Sequence, residues 1–153
     1  MSASVLADAT FSPGVAAATW ADAVRAAGRD LVHARAVGPA YVDEMVQLID
    51  DHGPWCVVAP GIALPHARPS ALVRRAGAAI VTLREPVSFG HPHHDPVRVV
   101  VALASTTQSD HVRTLAALAV QLDRPGVVDA VAAATVRADA IAAIEGATPG
   151  ASA

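Results

Sequence analysis

The sequence has one cysteine and no lysine, and aromatic residues make up only 3% of its 153 positions. The single cysteine, Cys56, cannot form an internal disulfide, which is typical of a reducing compartment. With so few aromatic rings, the core has to be built from Val, Leu, Ile and Ala. A chain of this length is expected to form one domain.

Long apolar runs and clusters of basic residues are also missing. The longest stretch without a charged residue, 52–67, contains three prolines and two histidines, so it is a poor candidate for a membrane-spanning helix. The first residues lack the basic region of a secretory signal. The net charge is −3 and the basic residues are scattered, which argues against a nucleic-acid partner. We therefore expect a soluble, cytoplasmic protein.

The sequence indicates no cofactor. It contains neither GxGxxG nor GxxxxGK[ST], the glycine-rich loops that hold nucleotide phosphates. His91, His93, His94 and Asp95 lie within five residues and could bind a divalent metal. Flanking prolines constrain this segment, and adjacent histidines do not easily face one ion. We favour a solvated hairpin loop over a zinc site.

The apolar spacing predicts an α/β fold in which helices flank a small sheet. Helices are expected from Thr19, with a capping box to Asp22, and over 39–52, 110–122, 127–133 and 137–144. Buried strands are expected over 55–59, 78–83 and 97–104, with a short strand around 4–7. We divide the chain into an N-terminal segment (1–15), one domain (16–146) and a flexible tail (147–153). Cys56, in a strand-like run, is predicted to be a buried apolar residue.

His66 stands out because of the rigid segment that carries it, GIALPHARP. Gly61 permits an unusual backbone angle or a close approach, and Pro65 restricts the backbone just before the ring. A rigid loop histidine beside Arg68 is suited to act as a nucleophile that accepts an anionic group. An equal alternative is a polar loop histidine that hydrogen-bonds to the backbone.

His111 is the second candidate. It follows Asp110, an expected N-cap, which places it in the first turn of a helix. The helix dipole there disfavours imidazolium, so a neutral ring could donate a hydrogen bond to a phosphoryl oxygen. A surface residue at a helix start is the alternative that the spacing alone favours.

Four segments together carry a resemblance to a known family: GPWCVVAPGIALPHARP, LREPVSFG, DPVRVVVALAS and DHVRTLAALAVQL. They resemble the enzyme IIA components of the bacterial phosphoenolpyruvate-dependent sugar phosphotransferase system, of the mannitol/fructose type and closest to the ascorbate-specific branch. The similarity runs from about residue 19 to residue 144. It implies a single domain with a small mixed β-sheet sandwiched between layers of helices.

The resemblance also implies a phosphotransferase activity. His66 would take a phosphoryl group from the histidine phosphocarrier protein and pass it to a cysteine of enzyme IIB, which serves a membrane enzyme IIC permease. His111 would be the second active-site histidine, and we expect Arg68 and Gly61 to contact phosphate. No metal or other cofactor is implied, because the donor phosphohistidine is already activated. Whether the chain forms a homodimer stays open.

One difference from the mannitol branch concerns charge near the site. That branch carries an Arg-Glu pair before its Pro-His, where this chain has Asp50-Asp51. The difference favours an ascorbate-like sugar over mannitol or fructose. The alternative function is a regulatory module whose phosphorylated histidine signals to other proteins without feeding a transporter. A metal-dependent hydrolase ranks third.

Overall fold

The structure, a computed structural model, describes residues 5–146. The strands are β1 (Thr10–Val15), β2 (Val57–Ala59), β3 (Ile62–Ala63), β4 (Gly77–Val87) and β5 (Val97–Ala104). The helices are α1 (Trp20–His33), α2 (Pro39–His52), α3 (Gln108–Leu122), α4 (Val127–Ala133) and α5 (Arg137–Glu145), and a 3₁₀ turn, Val5–Asp8, precedes β1. The predicted tail, 147–153, lies outside the described residues.

The five strands form one mixed sheet in the order β1-β4-β5-β3-β2. β1 is parallel to β4 and β3 is parallel to β5, whereas the β4–β5 and β2–β3 pairs are antiparallel. Helices α1 and α2 cover one face of the sheet, and α3, α4 and α5 cover the other. The predicted α/β domain, with its sheet between two layers of helices, is confirmed.

The central strand β5 shows why both faces must be covered. Its residues Val100, Ala102 and Ala104 pack into the core beneath α1 and α2. The alternate residues Val99, Val101 and Leu103 pack into the core beneath the other three helices. All six are fully buried, which explains the continuous apolar run that predicted this strand.

The N-terminal segment differs from its prediction. The strand expected around 4–7 is wrong: Val5–Asp8 forms a 3₁₀ turn, and the strand begins at Thr10. Thr10–Val15 contains a Pro-Gly pair, which disfavours a central strand but is tolerated in an edge strand such as β1. The register shifts between Ser12 and Val15, where Gly14 has a φ of +63°. Pairing with β4 therefore defines a strand that local propensity does not indicate.

Local signals place the start of α1 and both ends of α2 correctly. Thr19 Oγ1 accepts the Asp22 N–H at 3.2 Å and caps α1, as predicted. Pro39 is the first residue of α2, where its missing N–H costs nothing, and Gly53 ends that helix with a φ of +85°. Among the described residues, no helix is long and apolar enough to cross a membrane.

Candidate active site

His66 lies just beyond β3, in extended backbone that runs beside the end of β5. It forms an isolated parallel bridge with Leu103, and the Leu103 N–H donates to the Pro65 carbonyl at 3.1 Å. The prediction of a non-helical position after a buried strand is confirmed. The ring is anchored as well, because its Nδ1 lies 2.7 Å from the Leu64 carbonyl oxygen.

This contact determines which nitrogen of His66 is free to react. A carbonyl oxygen only accepts, so Nδ1 carries the proton and Nε2 carries the lone pair of the neutral ring. Burial lowers the pKa of His66 to about 4; the bond to Leu64 opposes this shift and the nearby His111 adds to it. At neutral pH the ring is therefore uncharged and held in a fixed orientation, with a lone pair on Nε2.

The start of α3 differs from the prediction that Asp110 is the N-cap. Thr107 is the N-cap: its backbone is extended, and its Oγ1 accepts the Asp110 N–H at 3.2 Å. His111 is consequently the fourth residue of the helix, and its own N–H donates to the Thr107 carbonyl at 3.0 Å. Its backbone amide is therefore not available to an anion, and the imidazole ring is the part of His111 that can act.

The His111 side chain points into the protein. It is 6% exposed, so the alternative of a surface residue at a helix start is wrong. His111, Leu118 and Leu122 share the buried face of α3, whereas Val112 is 57% exposed. Burial lowers the pKa of His111, which favours the neutral ring. Its ring centroid lies 5.1 Å from that of His66.

The two rings open into one surface cleft of about 430 Å³. Trp55 stands edge-on to His66, with 4.6 Å between ring centroids, and its Nε1–H donates to the Leu48 carbonyl at 3.4 Å. The cleft is lined by Leu48, His52, Trp55, His66, Ala67, Arg68, Gln108 and His111. A larger groove of about 520 Å³ between α1 and α2 contains neither of these two histidines. The smaller cleft is thus where a reaction at His66 would take place.

Arg68 and Gly61, both expected to contact phosphate, have different surroundings. Arg68 lines the cleft, is exposed, and has no hydrogen bond or ion pair to another residue of the described chain. Gly61 has the predicted unusual backbone angle, with a φ of +78°. However, its N–H donates to the His94 carbonyl at 2.9 Å, and it does not line the cleft. The Gly61 amide is therefore unavailable for phosphate.

Tyr41 holds the segment that carries His66 through hydrogen bonds, a role that was not predicted from the sequence. This residue of α2 is fully buried. Its hydroxyl donates to the Leu103 carbonyl at 2.6 Å and accepts the Ala67 N–H at 3.0 Å. Burial raises the pKa of Tyr41 to about 12, so the hydroxyl keeps its proton. One hydroxyl thereby ties the residue after His66 to its neighbouring strand.

Replacing Tyr41 with Phe should destabilise the protein by about 1–3 kcal/mol, because the Ala67 N–H is left buried without an acceptor. Urea denaturation would measure the loss. Met45→Leu, a volume-conserving change one turn along the same buried face, serves as the control and should cost less. Equal stability of wild type and Tyr41→Phe would show that this hydroxyl does not hold the segment.

The lowered pKa of the partly buried His66 predicts a dependence of stability on pH. The unfolded chain binds a proton at this ring near pH 6.5, whereas the folded chain binds it only near pH 4. Unfolding therefore takes up a proton between these values, and the free energy of unfolding falls as the pH falls from about 6.5 toward 4.

Between pH 7 and pH 5, His66→Gln should lose on the order of 1 kcal/mol less stability than the wild type, allowing for partial solvent screening. Urea denaturation at the two pH values measures this difference. His33→Gln, which changes an exposed histidine at the end of α1, should behave like the wild type. Parallel losses in wild type and His66→Gln would contradict a lowered pKa of His66 in the folded protein.

The histidine-rich loop lies between β4 and β5 and is organised by its own side chains. The Asp95 carboxylate accepts from Ser88 Oγ and from the backbone N–H groups of Phe89, Gly90 and His91. Nδ1 of His91 accepts the N–H groups of His93 and His94 at 3.1 and 3.0 Å. In the described chain, no three His, Cys, Asp or Glu residues are arranged to hold a metal ion. These polar atoms shape the loop.

Cys56 lies in the turn that leads into β2, since this strand begins at Val57 and not at 55 as predicted. The residue is fully buried, as expected. Burial raises the pKa of its thiol to about 12, so it does not ionise at neutral pH. A nucleophilic role for this thiol is excluded by its surroundings.

Comparison with known proteins places this arrangement in a family. Residues 5–147 match the family described as "Phosphoenolpyruvate-dependent sugar phosphotransferase system, EIIA 2". The chain belongs to this family. The resemblance found in the sequence is thereby confirmed, and EIIA components are phosphotransfer proteins of sugar transport.

Individual relatives agree with the assignment to the EIIA family. The ascorbate-specific PTS system EIIA component of Shigella boydii serotype 4 is 40% identical over 95 residues, which span 62% of this chain and 62% of that relative. A Streptococcus pyogenes crystal structure described as a PTS IIA domain has a TM-score of 0.80 and 29% identity, covering 90% of this chain and 89% of that one.

A further EIIA structure was determined together with a partner. It is the Escherichia coli complex of enzyme IIA-mannitol with phosphorylated enzyme IIB-mannitol. Its matching chain has a TM-score of 0.76 and 27% identity to this EIIA chain, covering 90% of this chain and 94% of that one.

Proposed function

We propose that this EIIA protein accepts a phosphoryl group on Nε2 of His66 from the histidine phosphocarrier protein and donates it to a cysteine of an enzyme IIB component. The observation that carries the proposal is the 2.7 Å contact between Nδ1 of His66 and the Leu64 carbonyl. It leaves Nε2 as the free nitrogen of a ring that is neutral at physiological pH.

The transfer step requires little covalent help from the protein. Nε2 of His66 attacks phosphorus, the bond between phosphorus and the carrier's nitrogen breaks, and the carrier's imidazole keeps that electron pair. The developing positive charge on the His66 ring is shared with the Leu64 carbonyl through the Nδ1–H bond. Positioning and charge stabilisation therefore dominate the rate, as in other phosphoryl transfers.

Two further groups of the cleft would stabilise the phosphoryl oxygens. A neutral His111, whose ring centroid lies 5.1 Å from that of His66, can donate from Nε2 to a phosphoryl oxygen. Arg68 lies on the same cleft and forms no ion pair with another residue of 5–146. The position of the mannitol-type arginine holds Asp50-Asp51 here, and Asp51 accepts a hydrogen bond from Gln47 at 2.8 Å. We assign the positive charge of the site to Arg68.

Ascorbate or a similar sugar acid is the cargo that we propose for the system. The support is the 40% identity to a relative named as ascorbate-specific, together with the missing Arg-Glu pair. The sugar itself would be bound by the membrane component. The proposed enzyme IIB partner is supported by the related E. coli EIIA structure in complex with phosphorylated IIB.

The direct test is incubation of the purified protein with phosphoenolpyruvate, enzyme I and the phosphocarrier protein. Intact-mass spectrometry should show one added phosphoryl group that is lost in acid and retained in alkali. Peptide mapping should place it on His66. Adding purified IIB of the ascorbate or mannitol type should discharge it, faster with the former. An acid-stable phosphoryl group would reject the proposal. So would the absence of any added phosphate in the complete mixture that contains enzyme I.

A further inference from the structure

Ser105 joins the end of β5 to the region of the second histidine. It directly follows Ala104, the last residue of that strand, and α3 begins three residues later. Ser105 is 3% exposed. Its Oγ lies 3.0 Å from Nδ1 of His111, which is also buried. A buried hydroxyl is therefore paired with a buried imidazole at the wall of the cleft.

The proton of the hydroxyl determines the direction of this hydrogen bond. Among the described residues, His111 is the hydrogen-bond partner of Ser105 Oγ. If Nδ1 of His111 carried the ring proton, the buried Ser105 hydroxyl would have no acceptor there for its own proton. A buried donor without an acceptor is unfavourable. The hydroxyl therefore donates to Nδ1, and the proton of the neutral His111 ring resides on Nε2.

His66 has the opposite arrangement. The Leu64 carbonyl can only accept, so the His66 proton is on Nδ1 and the lone pair is on Nε2. The two rings are 5.1 Å apart and meet edge to face, at an interplanar angle of 64°. One histidine thus presents an acceptor nitrogen and its neighbour presents a donor, although the side chains are chemically identical.

We infer that Ser105 is a positioning residue that holds His111 in the Nε2–H tautomer and thereby makes His66, and not His111, the phosphoryl acceptor. The consequence for transfer rests on the proposed function, whereas the tautomer itself does not. In the Nε2–H form the lone pair of His111 is on Nδ1, where it accepts the Ser105 hydroxyl proton and is not available to attack phosphorus, whereas Nε2–H can donate to a phosphoryl oxygen on His66. Without the hydroxyl, either ring nitrogen of His111 can carry the proton.

The tautomers can be measured without any phosphoryl donor. Long-range ¹H–¹⁵N correlation spectra of ¹⁵N-labelled protein at neutral pH distinguish Nδ1–H from Nε2–H histidines. We expect Nδ1–H for His66 and Nε2–H for His111 in the wild type. In Ser105→Ala, His111 should become a mixture while His66 is unchanged. Ser105→Thr, which keeps the hydroxyl, should retain the wild-type pattern, as should Ser109→Ala, an exposed serine of α3.

The functional arm uses the same variants in phosphoryl transfer. Ser105→Ala should pass phosphate to IIB at least tenfold more slowly than the wild type, and peptide mapping should detect phosphate on His111 as well as on His66. An Nδ1–H tautomer of His111 in the wild type, or an unchanged tautomer in Ser105→Ala, would overturn the inference. If Ser105→Ala does not fold, Ser105→Cys, a weaker donor of similar size, replaces it.

Failure of the proposed function gives a different result. Opposite tautomers of His66 and His111 in a protein that accepts no phosphate from the carrier would reject the relay. They would still support the inference that Ser105 fixes the tautomer of His111. Normal phosphorylation of His66, with no effect of Ser105→Ala on either tautomer, would support the relay and overturn the inferred role of Ser105.

Discussion

His66→Ala should accept no measurable phosphate from the phosphocarrier protein, a loss of at least about a thousandfold in rate, because the variant has no nitrogen in the position of Nε2. The second histidine is not expected to substitute, since its lone pair points toward Ser105 and away from the cleft. Acceptance can be followed by intact-mass spectrometry during incubation with phosphoenolpyruvate, enzyme I and the carrier.

The His66→Ala variant should remain folded. The ring is only partly buried, and its loss removes one hydrogen bond to the Leu64 carbonyl, worth about 1 kcal/mol. Far-ultraviolet circular dichroism and a urea titration would confirm this. His33→Ala removes a histidine that lies outside the cleft and should be phosphorylated normally. Normal acceptance by His66→Ala would place the nucleophile elsewhere in the chain.

His111→Ala should still be phosphorylated on His66 but should transfer the group to enzyme IIB about 10²–10³ times more slowly. The reason is the loss of the Nε2–H donor beside the phosphoryl oxygens, whose negative charge it stabilises more strongly in the transition state than in the ground state. Rapid-quench measurements of transfer from purified phosphoprotein to IIB would give the rate directly. His111→Gln, which restores an N–H donor, should recover part of it.

The His111→Ala change also affects the fold, and its controls have to separate the two effects. Removing the ring leaves the buried Ser105 hydroxyl without its partner, which should cost about 1–3 kcal/mol of stability. Rates are therefore compared at a temperature where every variant is fully folded. Arg113→Ala, an exposed change in α3, should transfer at the wild-type rate. Equal rates for wild type and His111→Ala would remove His111 from the transfer step.

Elements with strong local signals were predicted closely. β5 and α4 have the bounds that their apolar patterns predicted, because an eight-residue strand in which only Arg98 is charged and a Pro-Gly break before a helix are strong local signals. The sequence also identified Thr19 as a cap, since a capping box involves only residues three apart. The predicted cap of α3 is wrong, because Asp110 is itself a good N-cap residue type, whereas Thr107, three residues earlier, occupies the N-cap position.

Strands without a local signal could not be found in this way. β3 has two residues, and β1 contains Pro13 and Gly14. Both exist because a partner strand, β5 or β4, supplies their hydrogen bonds. Strand formation depends on the neighbouring strand more than on intrinsic propensity, so such segments become visible only when the sheet is assembled.

The sequence by itself determined the five helices, the strands β2, β4 and β5 and the two candidate histidines, because caps, apolar periods and a family motif are local features. Only the tertiary structure decided the protonation state and the tautomer of each of those histidines. It placed His66 beside the Leu64 carbonyl and His111 beside Ser105, 5.1 Å apart in one cleft, and lined that cleft with Trp55 and Gln108. Burial, pKa and tautomer depend on contacts between segments far apart along the chain, and those contacts exist only in the folded protein.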